Sequence, residues 1–181
     1  MSVFEDIVSL FLQGKGYWVR QSVKVNISKE DKKYIGTFSM PRPEIDLVAL
    51  SVRDNELLLV EAKSFLDSPG VRFSGVSGKD PKDAEHYKLF TKKKLREVVT
   101  RQLREEYLNR GLIKQDTKIN YALAAGHIYW GDEPKIVEYF SRQGWKLFTP
   151  KQIKEEISQL SQKGWEDNLV TMTAKLIRRG E

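Results

Sequence analysis

Apolar residues recur along this chain with two different periods, which predict its helices and strands. The first predicted helix covers residues 2–13, and its apolar face, at the i, i+3, i+4, i+7 spacing, consists of Phe4, Ile7, Val8 and Phe11. Residues 17–25 alternate between apolar and polar positions, as a half-buried strand does. Residues 26–42 are polar and end in a Pro-Arg-Pro break, so we expect a loop or a hairpin excursion there.

Two short apolar runs follow, over residues 45–50 and 57–63, and a plausible turn, Arg53-Asp54-Asn55, joins them. The runs are continuous rather than alternating, which is typical of strands that are covered on both faces. Each run also carries an ionisable residue near one end. The pattern predicts an antiparallel hairpin inside a sheet that has helices on both sides.

The second half of the chain predicts crossovers back to the same sheet. Its elements are a loop without period over residues 65–83, a long helix over about 84–110, a strand over 119–126, a helix over 134–143, a strand over 145–148, and two final helices. The first of these two begins at Thr149-Pro150-Lys151-Gln152, which is a capping sequence. The inner stripe of the last helix is predicted to be Leu169, Met172, Thr173 and Leu176. The order predicts a single α/β domain over residues 1–181 with a mixed sheet.

The charge and composition narrow the range of partners. The chain has a net charge of +6 and a pI of about 9.4, which is compatible with a polyanion such as DNA. It contains no cysteine and no run near the roughly 18 apolar residues of a membrane helix. The N-terminus has no basic stretch typical of a signal peptide. We therefore expect a cytoplasmic protein without a membrane partner, in which any metal is bound by oxygen or by the imidazoles of His86 and His127.

Three ionisable residues are predicted to meet at one end of the hairpin. Residues i and i+2 of a strand share a face, so Glu61 and Lys63 emerge side by side. With a turn near residues 54–55, Asp46 pairs approximately with Lys63 across the ladder. Two carboxylates among apolar neighbours repel each other, and a hard divalent cation such as Mg²⁺ would relieve this. Such an ion can polarise a phosphate and lower the pKa of a bound water. A lysine beside it can orient or deprotonate that water or stabilise the transition state, so the three groups together fit phosphodiester hydrolysis.

The sequence Pro43-Glu44-Ile45-Asp46, followed by Glu61-Ala62-Lys63 at the end of an apolar strand, resembles the PD-(D/E)XK motif of restriction endonuclease-like nucleases. The resemblance covers residues 1–126 in element order, and residues 127–181 would complete the domain. It implies that Asp46, Glu61 and the Ala62 carbonyl bind Mg²⁺, with Mn²⁺ as a substitute. It also implies that Lys63 is the catalytic lysine. In the strict motif the Asp follows the Pro directly, whereas two residues intervene here.

Two further features have alternative interpretations. In Holliday-junction resolvases the first helix supplies a glutamate to the metal site, and Glu5 matches that position. Glu5 can equally close a capping box with Ser2. Six basic residues of the long helix form either a solvated face or a surface that follows DNA phosphates: Lys92, Lys93, Lys94, Arg96, Arg101 and Arg104. Trp130, Trp145 and Trp165 are expected in the core or in an interface.

The sequence therefore predicts a metal-dependent endodeoxyribonuclease that hydrolyses DNA phosphodiester bonds, of the structure-selective, restriction or repair type. By resemblance it would act as a homodimer, because cutting both strands of a duplex usually takes two active sites. The alternative is a catalytically inactive nuclease-fold module that binds DNA.

Overall fold

A mixed sheet of five strands forms the centre of the molecule. The computed structural model describes residues 2–162, 164 and 166–179. The strands are β1 (Trp18–Lys24), β2 (Glu44–Ser51), β3 (Glu56–Lys63), β4 (Lys118–Ala125) and β5 (Lys146–Phe148). They lie in this order across the sheet; β1, β2 and β3 are antiparallel neighbours, whereas β3, β4 and β5 run parallel. The predicted α/β class with an early hairpin and later crossovers is confirmed.

Nine helices are described around this sheet. They are α1 (Val3–Gly14), α2 (Lys29–Ile35), α3 (Phe73–Val76), α4 (Pro81–Ala84), α5 (Lys88–Thr91), α6 (Lys93–Asn109), α7 (Glu133–Gln143), α8 (Pro150–Leu160) and α9 (Leu169–Arg179). A 3₁₀ turn, Glu85–Tyr87, lies between α4 and α5. None of the described helices has the length and apolar character needed to cross a membrane.

The two faces of the sheet bury separate hydrophobic clusters, as the continuous apolar runs of β2 and β3 predict. Leu47 and Leu58 point to one face, where α1 contributes Phe11 and the cluster also includes Phe148. The larger cluster lies on the other face, beneath α6 and α7. Both helices reach it through residues at helical spacing, among them Leu95, Val99, Leu103, Ile136 and Phe140.

Two segments that were predicted as loops contain helices. Residues 26–42 include α2, which begins at a capping box: the Ser28 hydroxyl accepts from the Asp31 N–H, and the Asp31 carboxylate accepts from the Ser28 N–H. Residues 65–83 include α3 and α4, and a bridge joins Val71 to Ile128. These short helices lack the apolar period that the prediction relied on.

The long helix predicted over residues 84–110 is broken at two places: residues 85–87 form a 3₁₀ turn, and the backbone of Lys92 is not helical (φ −106°, ψ 84°). The break at Lys92 is stabilised by nearby side chains. The Arg96 guanidinium donates to the carbonyl oxygens of Leu89 and Phe90, at 3.1 and 2.9 Å. The Thr91 hydroxyl also donates a hydrogen bond to the carbonyl oxygen of Tyr87, at 3.0 Å. Because side chains satisfy these groups, the helix can end and begin again without glycine or proline.

The stripe that was predicted to face inward on the last helix is exposed instead. Leu169 and Leu176 of α9 are 77% and 74% exposed, and Met172 and Thr173 also face outward. The buried residue of this helix is Thr171, whose amide donates to Asn168 Oδ1. An apolar stripe predicts an amphipathic helix but does not establish what covers it.

The three tryptophans that were expected in the core or in an interface fall into different places. Trp145 packs against the larger cluster, as expected of a core residue. Trp130 is 92% exposed and is therefore not a core residue. Trp165 lies outside the described residues.

Candidate active site at the end of the central strands

The hairpin register brings Asp46 and Glu61 to the same level. Leu47 pairs with Val60, and this register continued by one residue places Asp46 opposite Glu61. The prediction that Asp46 pairs with Lys63 was therefore wrong by two residues. The turn is centred between Arg53 and Asp54 and not near residues 54–55, since Ser51 pairs with Glu56. A hydrogen bond of 2.7 Å from the Ser51 hydroxyl to the Asp54 carboxylate stabilises this turn.

At this end of the hairpin, a side chain of β2 and not its backbone accepts a hydrogen bond from β3. The Ala62 N–H donates to Asp46 Oδ2 at 2.8 Å. Asp46 lines the same cavity as Glu61, Lys63 and residues of α6. The bond holds its carboxylate against the strand that carries the other two ionisable residues.

Glu61 and Lys63 form an ion pair on one face of β3. Lys63 Nζ lies 3.0 Å from Glu61 Oε1, and the two side chains are only 21% and 13% exposed. The spacing i, i+2 that predicted their proximity is confirmed. The structure therefore brings Asp46, Glu61 and Lys63 together at the end of the central strands.

The pKa values of the three groups follow from burial and from one another. Burial raises the pKa of Glu61 to about 6, although the positive charge of Lys63 opposes the shift. Burial also raises the pKa of Asp46, against the opposing effects of Lys63 and the Ala62 N–H. For Lys63, burial acts to lower the pKa, but the charges of Glu61 and Asp46 outweigh it and the net shift is upward. The ammonium is thus strongly held in its charged form between two carboxyls that resist ionisation.

This donor set fits a hard divalent cation. The single ammonium of Lys63 is ion-paired with Glu61 and acts on Asp46 only through its charge. The ionised site therefore has excess negative charge in a mostly buried place, which a second cation would offset. Oxygen is also the ligand type that Mg²⁺ prefers. The predicted ligand Ala62 lies between Glu61 and Lys63, and its N–H is already bonded to Asp46. Its carbonyl stays a predicted ligand.

The structure places Glu5 in a cap, near enough to the site for its charge to act there. Glu5 Oε1 accepts from the Ser2 hydroxyl at 3.0 Å, and the Glu5 N–H donates to the same hydroxyl at 3.3 Å. The negative charge of Glu5 nevertheless contributes to raising the pKa of Asp46 and of Lys63. Among the described residues, no group of three or more His, Cys, Asp or Glu side chains is arranged to hold a metal ion. Glu5 therefore does not complete a three-carboxylate cluster with Asp46 and Glu61.

The three ionisable groups line a cavity of about 1020 Å³. Its other charged lining residues include the three lysines at the break between α5 and α6: Lys92, Lys93 and Lys94. All three are exposed. Lys92 Nζ lies 2.6 Å from Glu85 Oε1, Lys93 is 3.9 Å from Glu97, and the Lys94 ammonium lies over the ring of Tyr34. These contacts are on the surface and are therefore weak enough for a phosphate to replace.

The three arginines that were predicted to bind DNA with these lysines make contacts within the protein, and their binding of DNA stays a prediction. Arg96 holds the carbonyls at the helix break and lies over the rings of Tyr121 and Trp145. Arg104 donates to the carbonyls of Gln115 and Thr117. Arg101 is ion-paired with the buried carboxylate of Asp31. The predicted basic face is thus divided into a structural part and the lysines that line the cavity.

Several features of the site had no signal in the sequence. Arg42, His86 and Lys88 line the cavity, although their positions in the sequence share no pattern. Phe65, two residues after Lys63, has φ +45°, and its ring contacts His86 edge to face. Gly126 donates to the Lys63 carbonyl at 2.8 Å, and a Cβ there would lie 2.6 Å from the Ser64 carbonyl oxygen. Only glycine lets β4 approach the end of β3 so closely.

No protein family, curated protein or solved structure matches this chain. Its function therefore has to be argued from its own side chains, above all from the acids and the lysine at the end of β2 and β3.

Proposed function

We propose that this protein is a metal-dependent endodeoxyribonuclease of the restriction endonuclease-like kind, which hydrolyses DNA phosphodiester bonds. One observation carries the proposal: Asp46, Glu61 and a protonated Lys63 meet at one end of a cavity that exposed lysines also line. Buried groups with shifted pKa values in a cavity are typical of active sites. The PD-(D/E)XK-like spacing of the same residues supports this interpretation.

Asp46 and Glu61, with the Ala62 carbonyl, would hold Mg²⁺, for which Mn²⁺ would substitute. When bound, such an ion polarises a phosphate oxygen and lowers the pKa of its water. Glu61 has to lose its proton before it can bind the ion, since its pKa lies near 6. Glu5, as a cap near the site, would add negative charge without being a required ligand.

Lys63 acts in this proposal as a cation, because its ammonium is ion-paired with Glu61 at 3.0 Å. In the absence of metal, the charges of Glu61 and Asp46 raise its pKa against the effect of burial. A fixed ammonium can donate to a phosphate oxygen and offset the charge that develops there in the transition state. It does so from a mostly buried position, where the interaction is stronger than at the surface.

DNA would enter over Lys92, Lys93 and Lys94, whose charges attract the phosphate backbone independently of base sequence. We also propose that the protein acts as a homodimer. The exposed apolar stripe of α9 is the surface to test first for contact with a second copy. A cytoplasmic location goes with this proposal, and the absence of cysteine favours it.

The second candidate is a DNA-binding module without catalysis. The observation that favours it is the Glu61–Lys63 ion pair, which already satisfies one carboxylate, together with the lack of a three-carboxylate cluster among the described residues. In that case the cavity would bind phosphates, but adding a divalent ion would not lead to cutting.

Incubation of the purified protein with supercoiled plasmid and with a labelled single strand, each in the presence of Mg²⁺ or Mn²⁺, tests both candidates. The nuclease proposal expects cutting of at least one of these substrates that depends on the metal and is lost in Asp46→Asn and Lys63→Ala. The matched control is Glu56→Gln, which breaks an ion pair with Lys146 at the opposite end of β3. It should cut normally. Binding without cutting under either metal would favour the module, and cutting without metal would overturn the mechanism.

A further inference from the structure

One wall of the cavity is formed by the connection between α2 and β2. Residues 36–43, which connect α2 to β2, supply five lining residues of this wall, including Met40 and Arg42. Ile35 at the end of α2 continues the wall. The groups proposed to act on the phosphate therefore lie inside a walled space and not on an open face of the sheet.

This wall is attached at both of its ends. At the α2 end, the buried Asp31 carboxylate pairs with Arg101 and accepts from Gln102 at 3.0 Å. The Tyr34 hydroxyl adds a bond of 2.9 Å to Glu97 on α6. At the β2 end, the Pro43 carbonyl accepts from the Val25 N–H at 2.8 Å. The wall is thus part of the folded structure before any ligand arrives.

The lining of the cavity combines two kinds of surface. Apolar side chains from the wall and from α6 lie on one part of it: Ile35, Met40, Leu95 and Val99. Of these, Ile35 and Met40 are only half-buried, so they can still contact a ligand. The charged part consists of the site itself and of side chains in which cations outnumber anions: Arg42, Lys88, Lys92, Lys93 and Lys94 against Glu44 and Glu85. A ligand that fits both must have a row of negative charges and, beside it, flat apolar groups that are free for contact.

Paired DNA has the negative charges but not the free apolar groups, because its bases stack on one another inside the duplex. An unpaired strand exposes its base faces, and proteins that bind such strands place them against aromatic or apolar side chains beside a basic track. The volume agrees, since pockets for drug-sized ligands measure about 300–1,000 Å³ and a nucleotide is of that size. The cavity, at about 1020 Å³, has room for at least one unpaired nucleotide.

We infer that the substrate of this site is an unpaired DNA strand, such as a flap, an overhang or a single strand, and not continuous duplex. The inference rests on the proposed function. The phosphate to be cut would lie at Asp46, Glu61 and Lys63, its neighbours along the strand at the lysines, and an adjoining base against Ile35 and Met40. Specificity would then come from the lack of pairing and not from base sequence.

The test compares a labelled single strand, the matching blunt duplex, and the same duplex with a single-stranded overhang. Cutting with Mn²⁺ and, in parallel, binding by fluorescence anisotropy without metal are measured at one fixed salt concentration. We expect the single strand and the overhang to be cut and bound at least about tenfold better than the blunt duplex. Equal or better cutting of the duplex would overturn the inference while leaving the nuclease proposal intact. If nothing is cut, the nuclease proposal fails, and the binding preference alone decides whether the cavity selects unpaired DNA.

Variants of the wall provide the matched controls. Met40→Ala should weaken binding of the single strand by about three- to tenfold and leave duplex binding unchanged, because it removes the surface for a base. Met40→Leu keeps an apolar side chain of similar size and should retain the preference. Phe38→Ala is the control in the same segment, since Phe38 is 82% exposed and is not part of the cavity lining. Thermal melting verifies that each variant is folded. Equal losses for both substrates in Met40→Ala would contradict a base-contacting wall.

Discussion

Asp46 Oδ2 accepts the N–H of Ala62 at 2.8 Å, so a side chain of β2 completes the hydrogen bonding of β3 at the point where the described ladder between them ends. The bond fixes one carboxylate next to the Glu61–Lys63 pair. It also means that two properties of Asp46 can be separated by mutation, because an asparagine keeps an acceptor for Ala62 but has no charge.

We expect Asp46→Asn to abolish cutting and to raise the melting temperature. Burial raises the pKa of Asp46 above its unfolded value, so the ionised carboxylate opposes folding at neutral pH. This opposition disappears as the pH falls and the group is protonated, and the neutral amide removes it at every pH. Calorimetric melting measures the effect, since about 1 kcal/mol moves the melting temperature by about 2–4 °C in a chain of this size.

The control is Asp54→Asn in the turn of the same hairpin. Hydrogen bonds from Ser51 and Arg53 lower the pKa of Asp54, so its charge favours folding and its loss should lower the melting temperature. Opposite shifts in the two variants are the expected result. A drop in melting temperature for Asp46→Asn would contradict the argument.

We expect Lys63→Ala to abolish cutting and to destabilise the protein by about 1–3 kcal/mol at neutral pH, because it leaves Glu61 and Asp46 buried without their cation. The loss should shrink as the pH falls towards about 6, because Glu61 takes up its proton more readily once Lys63 no longer lowers its pKa. Urea unfolding at several pH values measures it. The double variant Glu61→Gln with Lys63→Met should recover most of the stability and none of the activity. Full activity in Lys63→Ala would remove the lysine from the mechanism.

Metal binding should weaken as the pH falls through about 6, because the ion then competes with the proton on Glu61. In the absence of metal, Glu61 lowers the free energy of unfolding as the pH rises from the ordinary pKa of a glutamate to about 6. Above about pH 6 this destabilising effect is complete. We therefore expect Mg²⁺ or Mn²⁺ to raise the melting temperature more at about pH 8 than at about pH 5.

A thermal shift series with and without metal checks this dependence on pH. Glu61→Gln should show no metal-induced shift at either pH, whereas Glu56→Gln at the far end of β3 should behave like the parent protein. A metal-induced shift of the same size at both pH values would argue against Glu61 as a ligand.

The lysines and arginines of the same helical region should differ in their effects on DNA binding. Changing Lys93 and Lys94 together to alanine should weaken binding to all sequences and reduce the slope of log K against log salt by about 1 per residue. Stability should hardly change, since their contacts are on the surface. Anisotropy titrations over a range of salt concentrations measure the slope.

Arg96→Ala is the contrasting variant. It removes the donors to the Leu89 and Phe90 carbonyls and the contact with Trp145, so it should lower stability by about 1–3 kcal/mol. The salt dependence of DNA binding should be unchanged in whatever fraction stays folded. A reduced salt slope for Arg96→Ala would mean that this arginine contacts phosphate.

If the proposed homodimer forms through α9, Leu176→Glu should convert it to a monomer, because a charge would enter an apolar contact. Light scattering after size-exclusion chromatography measures the mass. Lys175→Glu, at the neighbouring position of the helix, is the control for charge alone. A dimer that survives Leu176→Glu would place the interface elsewhere.

The elements that the sequence predicted well are those with local causes. The two apolar runs of the hairpin indicated strands covered on both faces, and Thr149 and Gln152 form the predicted reciprocal cap of α8. The spacing of Glu61 and Lys63 likewise predicted a shared face. In each case the determining residues lie within a few positions of one another.

The errors have causes that the apolar pattern does not reveal, because they lie in polar side chains. The cap of α2 was missed because the helix is short, and much of its support comes from Asp31 contacting Arg101 and Gln102 about seventy residues later. The break at Lys92 depends on Arg96 reaching back to two carbonyls, which no proline or glycine marks. The hairpin register shifted because Ser51 and Asp54 set the turn. The sequence therefore predicted that Asp46, Glu61 and Lys63 come together, but it did not predict which other residues line the cavity around them.

The segment over residues 36–43 belongs to no helix or strand, although it borders the site. Doubling the length of such a connection costs only about 0.6 kcal/mol in closure entropy. Insertions and deletions there would change what fits beside the acids, while β2 and β3 would still hold Asp46, Glu61 and Lys63 in place. Evolution can therefore vary what this chain recognises while keeping those three groups unchanged.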